Sequence, residues 1–218
     1  MEQFFNPSPT SLKVCGITTR TDAEQLISEG IPALGVNFWP KSKRYVTPEA
    51  AAEFLPTLKG LILRVGVFVN AEPADVLALL ENDIIDVAQF HGDESPEYCA
   101  PFADAGLPFI RALGVKNADS LQNITDYRAT AILLDAHAPG VYGGTGDTFD
   151  WNLAKRVIAE NPDLPIMLAG GITSANAAEA TEAVHPAALD LASGSESSPG
   201  VKDFDKIRAI QAAINSVS

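Results

Sequence analysis

Residues 12–18 read Leu12-Lys13-Val14-Cys15-Gly16-Ile17-Thr18, a short apolar stretch that ends in a cysteine and a glycine. The stretch predicts a buried strand, and Gly16 allows the chain to turn into a helix that starts within residues 18–22. Cys15 therefore lies at the end of the strand. Taken alone, this thiol is either a small buried hydrophobic group or a reactive group at the mouth of a sheet.

The same unit, an apolar run followed by an Ala- and Glu-rich helical stretch, repeats along the chain. Near-continuous apolar runs are typical of strands buried on both faces of a parallel sheet. Eight strands are predicted, at residues 12–16, 33–38, 61–69, 86–90, 108–114, 131–135, 165–169 and 188–192. Helices are predicted at residues 21–29, 48–58, 73–81, 96–105, 117–124, 151–160, 174–183 and 203–215.

Eight strand–helix units in 218 residues indicate an α/β protein with a single (β/α)8 TIM barrel, in which outer helices surround eight parallel strands. A doubly wound open sheet is the alternative, because periodicity does not separate the two. The barrel is expected to span residues 11–218 and to form the catalytic domain. Residues 1–10 are polar and contain two prolines, so we expect a flexible N-terminal extension.

Composition limits the classes of function. The net charge of −13 argues against binding to nucleic acid or to anionic membranes. No apolar run approaches the roughly 20 residues that span a bilayer, and residues 1–10 do not resemble a signal peptide. Two cysteines are too few for a disulfide framework, which favours a cytoplasmic protein. An anionic ligand would need a local positive site.

Two reactive side chains end predicted strands on the same face of the barrel. Cys15 ends the first strand, and Asp135 ends the sixth in the run Ala131-Ile132-Leu133-Leu134-Asp135. Active sites of such barrels lie at the carboxyl ends of the strands. A thiolate and a carboxylic acid on either side of a small substrate form an acid–base pair. Asp135 alone is equally well explained as a helix cap or a loop hydrogen-bond acceptor.

Glycine loops after the last two strands predict a phosphate site. Gly170 and Gly171 follow the seventh strand, and Ser193 and Gly194 follow the eighth. Glycines let backbone N–H groups close around phosphate oxygens, and the loops after strands seven and eight are the usual phosphate site of these barrels. A tight turn explains either loop alone about as well.

Two further connections follow strands. Residues 40–46 form a basic loop with Lys41, Lys43 and Arg44, and Arg44 is suited to hold a carboxylate through two parallel hydrogen bonds. Residues 137–150 form a long Gly-rich loop of the kind that serves as a lid or binding loop.

Gln89 lies near the end of the predicted fourth strand, and His91 directly follows that strand. His91 is either a site residue or a structural histidine. Zinc spacing, a P-loop and a dinucleotide fingerprint are all missing from the sequence, which favours a reaction with no metal and no cofactor.

These residues resemble the phosphoribosylanthranilate isomerase family of tryptophan biosynthesis over almost the whole chain. The resemblance lies in the motifs at 13–18, 38–45, 64–70, 89–92, 133–135, 143–151, 168–171, 190–194 and 199–203. It implies a (β/α)8 barrel and an Amadori rearrangement of N-(5-phosphoribosyl)anthranilate, with this phosphorylated small molecule as the partner. The sequence departs at Ala192 and Phe90, where the family more often carries Ser and Leu. It does not give the oligomeric state.

The resemblance also implies roles for individual residues. Asp135 would be the general acid, Cys15 the general base, and Arg44 the group that binds the anthranilate carboxylate. The loops at 170–171 and 193–194 would hold the phosphate, with Asp190 at the sugar hydroxyls or ordering the last loop, and Gln89 and His91 as further substrate contacts. Lys13 lies on the same strand face as Cys15, and we expect it to favour the thiolate there.

Two other interpretations remain open from the sequence. A related barrel isomerase, shared by histidine and tryptophan synthesis, uses two aspartates, whereas this chain has Cys15 in place of the first. A non-catalytic ligand-binding barrel would be expected to lack the acid or the base, and the chain retains both.

Overall fold

The computed structural model describes residues 1–7, 10–136 and 150–217, so the predicted loop at 137–150 lies outside the described residues except for Asp150. Eight parallel strands close into a barrel in chain order, β1 to β8, with β8 paired to β1. The strands are β1 Ser11–Cys15, β2 Ala33–Asn37, β3 Leu63–Phe68, β4 Val87–Phe90, β5 Phe109–Val115, β6 Ala131–Ala136, β7 Ile166–Leu168 and β8 Ala188–Leu191. This closure confirms the barrel and excludes the open sheet.

Except for the first, which precedes β1, the α-helices follow strands and lie on the outside of the barrel. The described α-helices are α1 Glu2–Phe5, α2 Arg20–Ser28, α3 Pro48–Ala52, α4 Pro73–Glu81, α5 Pro96–Asp104, α6 Trp151–Glu160, α7 Ala177–Val184 and α8 Phe204–Asn215. Side-chain caps fix several starts: the Thr19 hydroxyl accepts from the amide of Asp22, and the Ser95 hydroxyl from that of Tyr98. None of the helices in the described part of the chain is long and apolar enough to cross a membrane.

Two of the predicted helices are wrong in extent or type. The helix expected over 48–58 ends at Ala52 and gives way to a 3-10 turn at Leu55–Leu58, because Pro56 has no N–H with which to bond the Ala52 carbonyl. The α-helix expected over 117–124 is replaced by two 3-10 turns, Ala118–Leu121 and Ile124–Tyr127. Short polar side chains in this segment hydrogen-bond to the nearby backbone and so compete with the helix.

The alternation of side chains along the strands produces two cores. Residues such as Val14, Leu34 and Leu134 point outward and pack against the helices. Their neighbours point into the barrel, where Val65, Leu133 and other apolar residues fill the lower layers. The period of two therefore places Lys13 and Cys15 inside the barrel, above an apolar floor.

Helix α1, which lies within the segment that the sequence predicts as a flexible extension, packs against the barrel. Phe4 and Phe5 of α1 are each 4% exposed and belong to the cluster that fills the amino-terminal end of the barrel interior. Their rings meet edge to face at 5.0 Å. Polarity averaged over residues 1–10 conceals these two aromatic side chains, whose burial closes the floor of the barrel.

A short antiparallel hairpin follows β8. Its strands are β9 Glu196–Ser198 and β10 Val201–Lys202. Gly200 turns the chain between them with a φ of 84°, and its carbonyl accepts a hydrogen bond from the Thr18 hydroxyl after β1. The hairpin is thereby attached to the carboxyl-terminal end of the first strand.

Candidate active site

One pocket at the carboxyl ends of the strands is lined by every site residue predicted from the sequence. These residues are Cys15, Arg44, Gln89, His91, Asp135, Gly170, Gly171, Asp190, Ser193 and Gly194. They come from β1, β4, β6 and β8 and from the loops after β2, β4, β7 and β8. Barrel closure is what brings them together, since β8 returns to pair with β1.

Cys15 lies beside a buried ion pair. Lys13 and Asp190 are register partners on β1 and β8, and the Lys13 ammonium lies 2.8 Å from the Asp190 carboxylate. Lys13 is fully buried. Cys15 and Lys13 both lie against Gly35, where a Cβ would come within 2.8 Å of Cys15 Sγ and 3.2 Å of Lys13 Cε. Gly35 therefore provides the space in which thiol and ammonium lie side by side.

Burial works against the thiolate that the sequence predicts at this site. Burial raises the pKa of Cys15 above its usual value, and the nearby Asp190 carboxylate adds to the rise. Lys13 and Lys202 lower the pKa, as expected of cations, but do not offset burial. For Lys13, burial disfavours the ammonium, yet Asp190 and Cys15 raise its pKa overall, so Lys13 stays charged.

Asp135 is held by its neighbours at the end of β6. It is 5% exposed, its Oδ1 accepts from the Ala136 amide at 2.9 Å, and its Oδ2 lies 3.2 Å from His91 Nε2. Gln89 Nε2 lies 3.1 Å from the other ring nitrogen, Nδ1. A Gln89 amide that donates to Nδ1 leaves the proton on Nε2, from which His91 donates to Asp135.

The two glycine loops lie against each other. A Cβ on Gly194 would come within 2.0 Å of the Ile172 carbonyl oxygen, so only glycine fits there. Gly170 has a φ of 80°, and a Cβ there would come within 2.8 Å of Asp135 Oδ1. The amides of Gly171, Ile172, Ser193 and Gly194 donate to no residue that the structure describes. This cluster of N–H groups at the pocket edge is suited to an anion.

Of the three cations in the basic loop, only Arg44 reaches the pocket. Lys41 and Lys43 are exposed, whereas Arg44 donates from Nε and Nη2 to the two carboxylate oxygens of Glu196 at 2.8 and 2.6 Å. The bidentate contact expected with a ligand is thus made first within the chain. Burial works against the charge of Glu196, but Arg44 and Lys202 lower its pKa overall.

Glu196 and Lys202 are further parts of the site that the sequence does not predict. Lys202 donates to Glu196 at 2.8 Å and to the backbone carbonyl of Cys15 at 2.6 Å. Both residues are nearly buried, at 5% and 7% exposure. In the sequence, Glu196 and Lys202 are two opposite charges on either side of a glycine. An exposed turn has the same pattern, so the pattern does not indicate a buried ion pair.

The architecture and the position of the pocket define the class of protein: a (β/α)8-barrel enzyme with its site at the carboxyl-terminal face. A family model described as N-(5'-phosphoribosyl)anthranilate (PRA) isomerase matches residues 12–213. The chain belongs to the N-(5'-phosphoribosyl)anthranilate isomerase family. This confirms the resemblance seen in the sequence and the isomerase activity of tryptophan biosynthesis that it implied.

Relatives and solved structures agree with this assignment. The N-(5'-phosphoribosyl)anthranilate isomerase of Pseudomonas syringae pv. tomato is 43% identical over 205 residues, which cover 93% of this chain and 96% of the relative. The crystal structure of phosphoribosyl anthranilate isomerase from Thermotoga maritima superposes with a TM-score of 0.84 at 36% identity, covering 95% of this chain and 99% of that one.

Another solved structure, of a phosphoribosyl anthranilate isomerase, is a complex with reduced 1-(o-carboxyphenylamino)-1-deoxyribulose 5-phosphate. It superposes with a TM-score of 0.80 at 34% identity, covering 95% of this chain and 99% of that one.

Proposed function

We propose that this pocket carries out the family's Amadori rearrangement with Asp135 as the general acid and Cys15 as the general base. The aminoaldose N-(5-phosphoribosyl)anthranilate becomes 1-(2-carboxyphenylamino)-1-deoxyribulose 5-phosphate. The observation that carries the proposal is the presence of these two side chains in one pocket, on β1 and β6, which Arg44 and the glycine loops also line. No metal or cofactor takes part in the proposed steps.

The chemistry is a pair of proton transfers. Asp135, which enters the reaction protonated, gives its carboxyl proton to the ring oxygen, the bond from that oxygen to C1 breaks, and the nitrogen lone pair forms a protonated Schiff base with C1. Cys15 then removes the proton from C2, and the electron pair forms the C1–C2 double bond of an enolamine as the nitrogen becomes neutral. The enolamine tautomerises to the ketose. His91, which lies 3.2 Å from Asp135 Oδ2, orients the acid.

The raised pKa of Cys15 is compatible with a role as base. Efficient general-base catalysis depends on both the fraction that is deprotonated and the basicity of that form. Burial lowers the fraction of thiolate but makes each thiolate a stronger base towards carbon, while Lys13 and Lys202 limit the loss.

Two anion sites would hold the substrate between the acid and the base. Arg44 would bind the anthranilate carboxylate, and the amides of the loops at 170–172 and 193–194 would bind the phosphate. Fixing a substrate at both ends lowers the entropic cost of reaching the reactive geometry. The complex described for a relative contains both a carboxyphenyl group and a phosphate in its ligand, which supports this arrangement. We place the reaction in the cytoplasm, consistent with two free cysteines.

The test measures the loss of phosphoribosylanthranilate fluorescence as the enzyme turns over. Cys15→Ser and Asp135→Asn are each expected to lower kcat by roughly 10²–10⁴-fold, the usual contribution of a proton-transfer group. Cys99→Ser is the matched control, because Cys99 is a buried thiol that packs in the outer core, away from the pocket. Full activity in either site variant refutes the assigned roles, while a comparable loss in Cys99→Ser shows that the assay reports folding.

A further inference from the structure

The guanidinium of Arg44 has one edge occupied and one edge available. Nε and Nη2 form two parallel hydrogen bonds with Glu196, at 2.8 and 2.6 Å. Nη1 donates to no acceptor in the described residues, and Arg44 lines the pocket. Since the guanidinium is planar with five N–H donors in a fixed arrangement, holding its Nε edge also fixes the direction of the Nη1/Nη2 edge.

The side chain of Arg44 is also fixed from below. It crosses directly over Gly16, where a Cβ would come within 2.3 Å of Arg44 Cδ. Gly16 follows Cys15, so the arginine lies over the backbone next to the proposed base. Between Gly16 and Glu196 the guanidinium has little rotational freedom left.

Glu196 is itself held at several points. It is 5% exposed, Lys202 donates to its Oε1 at 2.8 Å, and the Gly200 amide donates to the same oxygen at 3.2 Å. Lys206 donates to its backbone carbonyl at 2.6 Å. Together Arg44, Glu196 and Lys202 retain one net positive charge at the mouth of a strongly acidic protein. A carboxylate inside this cluster reduces its attraction for anions, so attraction alone does not explain Glu196.

We propose that Glu196 is a positioning residue that presents the Nη1/Nη2 edge of Arg44 to the aryl carboxylate of the substrate and thereby sets selectivity for a carboxylated ring. This inference rests on the proposed function of Arg44 as the carboxylate anchor. A free arginine would have to give up rotamer freedom on binding, whereas the arginine held by Glu196 has already done so. The expected signature is weaker binding of ligands that carry the carboxylate, with little change for those that lack it.

The experiment measures two inhibition constants for each variant. The probes are reduced 1-(o-carboxyphenylamino)-1-deoxyribulose 5-phosphate and the same compound without the ring carboxylate. Glu196→Gln is expected to weaken the carboxylated probe by about tenfold to a hundredfold, the usual range for a hydrogen bond to a charged group. The probe without the carboxylate is expected to change by less than about threefold, because its phosphate and sugar contacts stay in place.

Control variants separate positioning from a general loosening of the hairpin. Lys206→Met removes a contact to the Glu196 backbone and leaves the Arg44 contact intact, so carboxylate selectivity is expected to persist. If Glu196→Gln does not fold, Glu196→Asp takes its place, because it keeps the buried negative charge and with it the fold. Its shorter side chain cannot reach both Nε and Nη2 in place, and a smaller loss of the same kind is expected.

The outcomes distinguish this inference from the proposed function. If Arg44→Met loses selectivity for the carboxylated probe but Glu196→Gln and Glu196→Asp keep it, the positioning role is refuted and the anchor stands. If Arg44→Met also keeps the selectivity, the anchor is refuted, and the inference with it. Equal weakening of both probes in Glu196→Gln, or loss of selectivity in Lys206→Met, shows a general structural role and overturns positioning.

Discussion

Replacing Lys13 by Met removes a buried positive charge beside Cys15, and we expect the thiol to become harder to deprotonate. Lys13 lowers the pKa of Cys15 in the folded protein, partly offsetting the effect of burial. A unit charge close to an ionisable group changes its ionisation free energy by roughly 1.4–4 kcal/mol. Because the Asp190 carboxylate lies 2.8 Å from Lys13 and screens part of its field, the lower end applies. The fraction of thiolate at a given pH should fall by about tenfold.

The assay is the rate of alkylation of Cys15 by iodoacetamide as a function of pH, in a Cys99→Ala background so that one thiol remains. Asp190→Asn is the matched opposite change, because Asp190 raises the pKa of Cys15 and its removal should make the thiol more reactive. Lys13→Met leaves Asp190 buried without its partner, which can cost roughly 3–5 kcal/mol of stability. The double variant Lys13→Met/Asp190→Asn removes both charges and controls for that loss.

Opposite shifts in the two single variants, with the double variant between them, are the expected pattern. An unchanged pH profile in Lys13→Met refutes the view that the lysine acts on the thiol. Shifts of the same sign in Lys13→Met and Asp190→Asn show that altered packing outweighs charge, and they refute the electrostatic reasoning as well.

Two further predictions concern stability. Phe4→Ala and Phe5→Ala are each expected to lower the free energy of unfolding by at most roughly 3–5 kcal/mol, and by less if α1 detaches from the barrel. The control is Gln3→Ala, at an exposed site of the same helix. A Tm equal to that of the control contradicts the view that Phe4 and Phe5 close the floor of the barrel. Burial works against the charge of Asp86, but its pairing with Arg64 lowers its pKa below 3.8 overall. The ion pair therefore contributes stability above that pH, and the contribution is lost as pH falls through the lowered pKa. Asp86→Asn is expected to lower Tm at neutral pH and flatten its decline in acid, and an unchanged slope rules this out.

Much of the fold follows from local pattern. Each strand is a short apolar run that the sequence displays directly, and all eight are present with small shifts at their ends. Helix starts are local as well: Thr47 precedes Pro48 at the start of α3, and the Thr47 hydroxyl accepts from the Ala50 amide. The two predictions that were wrong concern segments with a helix-like composition in which a residue disfavours the helix. Pro56 breaks the first helix, and Asn117 and Ser120 cap a 3-10 turn in place of the second.

Part of the candidate site could also be predicted from local sequence, and part could not. Cys15 and Asp135 were identifiable because each ends a strand, and the carboxyl ends of parallel strands share one face. The ion pairs were not identifiable. Lys13 and Asp190 are separated by 177 residues, and Arg44 and Glu196 by 152. A single buried lysine or glutamate leaves no pattern in the sequence that distinguishes it from an exposed one.

By itself, the sequence determined the number and parallel direction of the strands and the residues at their carboxyl ends, because these depend on burial patterns repeated every few residues. The tertiary structure alone decided that the sheet closes, that Phe4 and Phe5 fill its floor, that burial raises the pKa of Cys15, and that Glu196 holds Arg44. These features depend on which distant segments meet and on how much water their meeting excludes, and neither quantity is encoded in the residues next to each group.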